Sequence, residues 1–410
     1  MDGLPYVIQP LPVERFSLTF SSEYEALLQW QGVEDPLEPT ARAQAYVLYT
    51  RMDDQAFDNG VLVNTNRLKI NIEAGRTYSF KIAAVNAGGE SFPSEILSIY
   101  RAFNERGKVL IVNGFDRVCA PASYASRDSL FGGFTDYGVA YLKDISITGS
   151  QYEFRRDVPW TANDAPGFGG SHSTYEREVL AGNSFDYPII HGRAFALEGY
   201  SFASCSQKAF MHDPLLSEGY EIVDLILGKQ RQTITGTGFS GVRYAAFPPL
   251  LQTCLTQFCH AGGRLLVSGA FVASDLWDAP QTDTLSQKFA IDVLKFKWVT
   301  GQATQTGRVK SAPSPFTHVF DGNYSFYTQP NPISYWVEAP DALAPATSKA
   351  YTIFRYADNN KSAGIAYHGE DYKTVVLGFT IESIIDTTER NKIIKDIVQF
   401  FINSSELWKF

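Results

Sequence analysis

Residues 108–114 read Lys-Val-Leu-Ile-Val-Asn-Gly, an uninterrupted apolar run closed by an Asn-Gly turn signal. A strand with one wet face alternates polar and apolar residues, so an unbroken apolar run belongs to a strand covered on both faces. Comparable stretches follow at 201–204 (SFAS), 221–228 (EIVDLILG), 263–268 (GRLLVS), 352–355 (TIFR), 363–367 (AGIAY) and 374–379 (TVVLGF). Helical stripes alternate with them. Residues 248–261 place Leu251, Leu255 and Phe258 on one face before a Gly262-Gly263 stop. Residues 389–402 do the same with Ile393, Ile394, Ile397 and Phe401. Such alternation predicts a parallel sheet covered on both sides, so 102–410 reads as an α/β domain.

Two stretches interrupt that pattern. Residues 116–190 are rich in Gly, Ser, Tyr and Asp with little periodicity, and 297–350 reads as irregular β structure with many turns. Both are expected to be insertions over one end of the sheet, where loops beyond the carboxyl ends of parallel strands usually build a site.

Upstream of residue 102 the period is two. Residues 16–20 (FSLTF), 25–30 (EALLQW), 45–49 (AYVLY) and 68–72 (LKINI) read as short strands. In 75–95, GRTYSFKIAAVNAGGESFPSE, Tyr78, Phe80, Ile82 and Ala84 share one face, Asn86–Gly89 turns, and Pro93-Ser94 opens a closing strand. Residues 1–101 therefore resemble a fibronectin type III β-sandwich. Trp30 matches the buried tryptophan of its second strand, Tyr78 its corner tyrosine, and Asn86, Gly89, Ser91, Pro93 and Ser94 its N-x-x-G-x-S-x-P-S ending.

Composition excludes several classes. The 410 residues carry 35 Lys and Arg against 44 Asp and Glu, a net charge of −9 without a basic cluster, so no nucleic-acid partner is expected. Apolar runs fall far short of the roughly 20 residues of a membrane span. The first residues, MDGLPYVIQPLPVERF, lack the layout of a signal peptide. Four cysteines, Cys119, Cys205, Cys254 and Cys259, are too few for a disulfide scaffold, and neither C-x-x-C nor H-x-x-x-H occurs, so no metal site is expected. G-x-S-x-G, a Walker loop and G-x-G-x-x-G after a strand are also absent. Gly167-Phe-Gly-Gly170 has no buried strand before it, and no cofactor is implied.

The strand ends supply the candidate site. They carry Asn113, Asp116 and Arg117; Ser204, Cys205 and Ser206; Lys229; Ser268, Ser274 and Asp275; and His368, Glu370 and Asp371. Cys205, directly before a helix start, reads either as a thiol nucleophile with His368 as base and Glu370 or Asp116 orienting it, or as a small buried residue. His172 and His191 are further ligand-binding candidates, each also readable as structural. The aromatic load, 29 Phe, 22 Tyr and 6 Trp, suits sugar-stacking surfaces or a thick core alike. Tyr152, Trp160, Phe168, Tyr175, Trp277 and Trp336 are the aromatics assigned to such a surface, with Asp157, Asn163 and Asp164 flanking them. Calcium on Asp116, Asp275, Glu370 or Asp371 lacks a recognisable ligand loop.

The order from the first buried strand to Gly378-Phe-Thr-Ile-Glu-Ser-Ile384 and the final helix resembles the flavodoxin-like, class I glutamine amidotransferase-like fold. That family places a cysteine on an elbow after the strand that follows the Gly-Gly stop. Here the elbow is Val267-Ser-Gly-Ala-Phe271, and His368-Gly369-Glu370 replaces the family's His-Pro-Glu. Together VNGFDRV, NDAPGFGGSHSTYE, AGNSFDYPIIHG, GYSFASCS, GGRLLVSGAFVASDLW and FRYADNNKSAGIAYHG resemble exported Bacteroidetes proteins labelled xanthan lyase, some with an upstream amidase-type domain. The resemblance implies an extracytoplasmic protein that partners polysaccharide or peptidoglycan. It implies a binding module with a degenerate site or, alternatively, a Cys205-dependent amidase or hydrolase. A uronate lyase would need a base for the C5 proton and a group to neutralise the carboxylate, which these residues do not spell out.

Overall fold

The computed structural model describes residues 7–36, 38–117, 122–126, 129–133, 159, 186–234, 242–329, 331 and 333–402. The amino-terminal strands are β1 (Glu14–Ser22), β2 (Glu25–Gln31), β3 (Ala45–Met52), β4 (Val61–Val63), β5 (Arg67–Asn71), β6 (Thr77–Asn86), β7 (Gly89–Glu90) and β8 (Leu97–Tyr100). β1, β2 and β5 pair in one sheet and β4, β3, β6 and β8 in the other, all antiparallel. That is the sandwich expected of a fibronectin type III module. Phe16, Leu18, Leu28, Phe80, Ile82 and Leu97 fill it with no exposed surface. Trp30 packs edge-on against Phe16 and Tyr46. Tyr78 makes the corner: its hydroxyl accepts the Glu73 N–H at 3.3 Å. Asn86 ties the chain start down by donating to the carbonyls of Ile8 (2.8 Å) and Thr40 (3.1 Å).

The remainder runs β9 (Gly107–Asn113), a hairpin of β10 (Ala122–Ser126) and β11 (Ser129–Gly133), α1 (Pro188–Leu197), β12 (Tyr200–Ser206), α2 (Gln207–His212) and β13 (Ile222–Gly228). Then come the paired β14 (Thr233–Ile234) and β15 (Val242–Arg243), α3 (Pro249–His260), β16 (Arg264–Gly269), α4 (Ser274–Trp277) and α5 (Thr284–Phe289). They are followed by β17 (Phe296–Thr300), β18 (Arg308–Ser311), β19 (Asn323–Ser325), β20 (Ala342–Pro345), β21 (Ala350–Tyr356), β22 (Ser362–His368), β23 (Lys373–Leu377) and α6 (Thr387–Ile402).

β12, β9, β13, β16 and β23 are mutually parallel, so the strands stand in the spatial order 2-1-3-4-5 by chain order. The unbroken apolar run of β9 has its cause here: Val109 and Ile111 enter one core, Leu110 and Val112 the other. α1 and α6 cover the first face, α2, α3 and α5 the second. Beyond β23 the sheet continues antiparallel through β22, β21, β18 and β19, giving a mixed sheet. Residues 297–350 therefore do not stand wholly over the end of the sheet as expected. β18 and β19 extend its edge, and β17 pairs with β20. Most of 116–190 lies outside the described residues. No helix among the described residues is long and apolar enough to cross a membrane.

Sandwich and α/β sheet are joined. β12 pairs with β1 through Ser17 opposite Cys205 and with β8 through Tyr100 opposite Phe202. Ala203 enters the sandwich core, and Ser204 Oγ both donates to the Ser98 carbonyl (2.8 Å) and accepts the Ser98 N–H (2.7 Å).

Candidate functional site

In the order 2-1-3-4-5 the connections from the first strand and to the third leave in opposite directions, which opens a crevice outside the carboxyl ends of those strands. A cleft of about 430 Å³ lies there. Asn113 ends β9, Ser206 ends β12, and Asp116 and Gln230 sit on the loops after β9 and β13; all four line it. The sandwich closes the other side with Glu14, Arg15 and Glu95. Arg15 takes a left-handed φ of 51° where β1 slips register between Glu14 and Ser17. Such a conformation in a non-glycine residue costs energy and marks a site held by its surroundings.

Gln230 fixes the loop geometry. Its Oε1 accepts from the Asp116 N–H (3.2 Å) and the Arg117 N–H (3.0 Å), and its Nε2 donates to Asp116 Oδ1 (2.7 Å). Arg117 is fully buried, with Nε on Thr233 Oγ1 at 3.2 Å. Gly228, at φ +48°, lets the same loops pass: a Cβ there would lie 2.2 Å from the Phe115 ring. Lys208 pairs with Glu14 at 2.8 Å across the seam. Burial, reinforced by nearby Asp116, pushes the Glu95 carboxyl up to about 8, and burial also raises Asp116. The side-chain amide of Asn113 and the Nε2 of Gln207 are buried with no hydrogen-bond partner among the described residues. Buried polar atoms are almost always satisfied, which sets these groups apart among the described residues of the cleft.

The nucleophile and base proposed from sequence are not brought together. Cys205 has no exposed surface, and burial pushes its thiol far above the usual range, with the Glu95 and Asp213 charges adding to the shift. His368 does end β22, but β22 is antiparallel: His368 pairs with Lys373, the first residue of β23, which in turn pairs with Arg264, the first residue of β16. It therefore lies at the amino edge of the parallel sheet. Cys205 is one residue from the carboxyl end of β12, and β9, β13, β16 and β23 separate that strand from β22. Five interstrand steps of about 4.8 Å make roughly 24 Å between the strands. Glu370 and Asp371 share the histidine's edge, and Glu370 is an exposed partner of Lys349 at 2.7 Å. Asp116 remains at the opposite, carboxyl edge. Reading strand ends without strand direction merged two edges into one site.

The other candidates serve the framework. Ser204 holds the sandwich seam. Ser268, one residue before the end of β16, is fully buried, and Asp341 Oδ2 stitches the following turn by accepting the N–H groups of Ala273 and Ser274, both at 2.8 Å. Asp275 clamps two loops, accepting the N–H groups of Gln232 and Ala246, with its carboxyl raised by burial to about 6. Trp277 packs its ring beside Phe296, and Trp336 is part-buried against the core under Lys229. His172 and Trp160, like Tyr152, Phe168 and Tyr175, lie outside the described residues.

His191 heads a buried charge cluster. Its Nδ1 is 2.7 Å from Asp224 Oδ2 and its Nε2 is 3.2 Å from Glu382 Oε2, while the Tyr335 hydroxyl donates to Glu382 Oε1. Desolvation opposes its charge, but the two carboxylates prevail and raise the imidazole to about 10. Sequence reading missed Asp224 and Glu382, although a lone acid within the apolar VDLILG run was a signal. Nothing in the sandwich sequence singled out Glu95.

No family model matches the chain, and no curated protein matches it. Among solved structures, similarity is found to the twitchin kinase region from C. elegans (20% identity, 24% of this chain and 18% of that one, TM-score 0.21). It is also found to the fourth FNIII domain of a human protein (15% identity, 25% of this chain and 87% of that one, TM-score 0.22). The fibronectin type-III domain of human fibronectin type III domain containing protein 3 is a further match (21% identity, 24% and 93%, TM-score 0.20). The chain thus spans less than a fifth of the twitchin region but nearly the whole of the isolated fibronectin domains.

Proposed function

We propose that this chain is a binding module of the cell exterior, taking a glycan or peptidoglycan segment in the cleft between the sandwich and the carboxyl edge of the sheet. The α/β domain is read as a flavodoxin-like, amidotransferase-like scaffold without a thiol at its elbow. The order 2-1-3-4-5 with helices on both faces supports that reading. The exported setting and the ligand class come from the sequence resemblance. Fold by itself assigns no function, so the proposal rests on the site.

The observation that carries it is the Asn113 amide and the Gln207 Nε2, which have no hydrogen-bond partner among the described residues, beside the carboxyls of Glu95 and Asp116 in one cleft. Amides and carboxyls offer the mixed donors and acceptors that sugar hydroxyls and peptide amides need. The test is co-sedimentation with purified peptidoglycan sacculi, together with calorimetric titration of soluble muropeptides and neutral polysaccharides. Saturable binding that weakens at least tenfold in Asn113→Ala and Gln207→Ala is expected, without release of products. Absence of binding to every probe would overturn the proposal, as would product release abolished by Cys205→Ala.

A further inference from the structure

A second cleft, of 710 Å³, opens at the amino edge of the parallel sheet, remote from the first. Its volume falls within the roughly 300–1,000 Å³ usual for small-molecule sites. Arg264 and Lys373, the first residues of β16 and β23, both line it and are direct partners in the sheet register. Their positions share the parity of Leu266 and Val375, so both side chains leave the same face of the sheet. Like charges directly opposite on adjacent strands repel. Burial, with the Arg264 charge adding to it, lowers the Lys373 ammonium to about 8.

Lys373 Nζ donates to the carbonyls of Phe400 (3.0 Å) and Phe401 (3.1 Å) at the end of α6. The nearby acid Glu370 is engaged by Lys349. Arg264 has no ion pair among the described residues. Tyr351 lines the same cleft, half-buried and edge-on to Phe316 at 5.5 Å, and His368 stacks on Phe316 at 6.1 Å. A cation pair beside an aromatic wall is complementary to a ring that carries an anionic group.

We infer that this amino-edge cleft binds an anionic sugar-sized ring, its carboxylate or phosphate set between Arg264 and Lys373 and its ring against Tyr351. The site is independent of the carboxyl-edge cleft, and it gives His368 a place in the wall of a binding site.

Calorimetric titration of the full chain at pH 7 and low salt tests it with four probes: glucuronate, glucose 6-phosphate, glucose and inorganic phosphate. At least one anionic sugar is expected to bind tenfold or more tighter than glucose and than inorganic phosphate, and which of the two binds tighter identifies the anion. Arg264→Gln should weaken that binding at least tenfold. The substitution removes a repulsion, so its melting temperature should hold or rise, and a loss of binding then reads as loss of the site. Tyr351→Leu should lower affinity for the anionic sugar but not for phosphate. Equal affinity for glucose and both anionic sugars, or unchanged binding in Arg264→Gln, overturns the inference.

Discussion

Ser17 of the sandwich and Cys205 of the α/β sheet face each other as paired residues on adjacent antiparallel strands. The pairing puts the thiol inside a continuous sheet, with β9 on its other side through Val112. A thiolate there would lose hydration without a compensating cation, so the group stays neutral and inert. Alkylation of native protein, read by peptide mass spectrometry, should therefore modify the half-exposed Cys254 before Cys205. Cys205 should react only under unfolding conditions. Labelling of Cys205 as fast as that of Cys254 at pH 8 would show the seam to be open.

His191 gives the core a pH dependence. Its folded pKa, about 10, lies above the unfolded value of 6.5, so the folded state holds the extra proton. The stabilisation is complete below pH 6.5 and is lost as pH rises through about 10. Denaturant midpoints of the native chain should fall across that window. His191→Ala leaves Asp224 and Glu382 buried without their cation and should cost about 3–5 kcal/mol near pH 7. A wild-type stability curve flat from pH 6.5 to 10 would exclude the charged imidazole.

Glu95 acts with the same sign by a different route. A carboxyl raised from 4.5 to about 8 keeps its proton longer in the folded state, so stability is lost as pH rises from 4.5 through 8. Glu95→Gln removes that loss: it should match the native chain at pH 4.5 and exceed it in urea midpoint at pH 8. A variant less stable at pH 8 would mean that the ionised carboxylate has a partner.

Ser204→Ala tests the joint between the domains. It strips the Ser98 N–H and carbonyl of their buried side-chain partner. A cost of about 1–3 kcal/mol is expected. Because β12 bonds to both β1 and β8, the loss should lower the unfolding temperature of sandwich and α/β sheet together. Two separate transitions, with only one shifted, would show that the domains unfold independently.

The legible part of the fold was the part with local causes. The runs KVLIVNG and EIVDLILG announced strands buried on both faces because each side chain alternation enters a different core. The sandwich was equally plain, since Trp30, Tyr78 and Asn86 make contacts within one module. The site was less so. Asp116 lines the cleft from the loop after β9, which the end of a buried run makes legible, yet Glu95 contributes to the cleft from the sandwich, which no spacing encodes.

What the sequence by itself determined was the identity of the elements, because burial pattern and turn chemistry are properties of neighbouring residues. What only the tertiary structure decided was direction and company. β22 runs antiparallel, so His368 and Cys205 occupy opposite edges of one sheet. β12 is covered by β1 and β8, so a cysteine at a strand end became a packed core residue. Hydrogen bonds between strands distant in sequence set both outcomes, and such pairings leave the residue pattern of each strand unchanged.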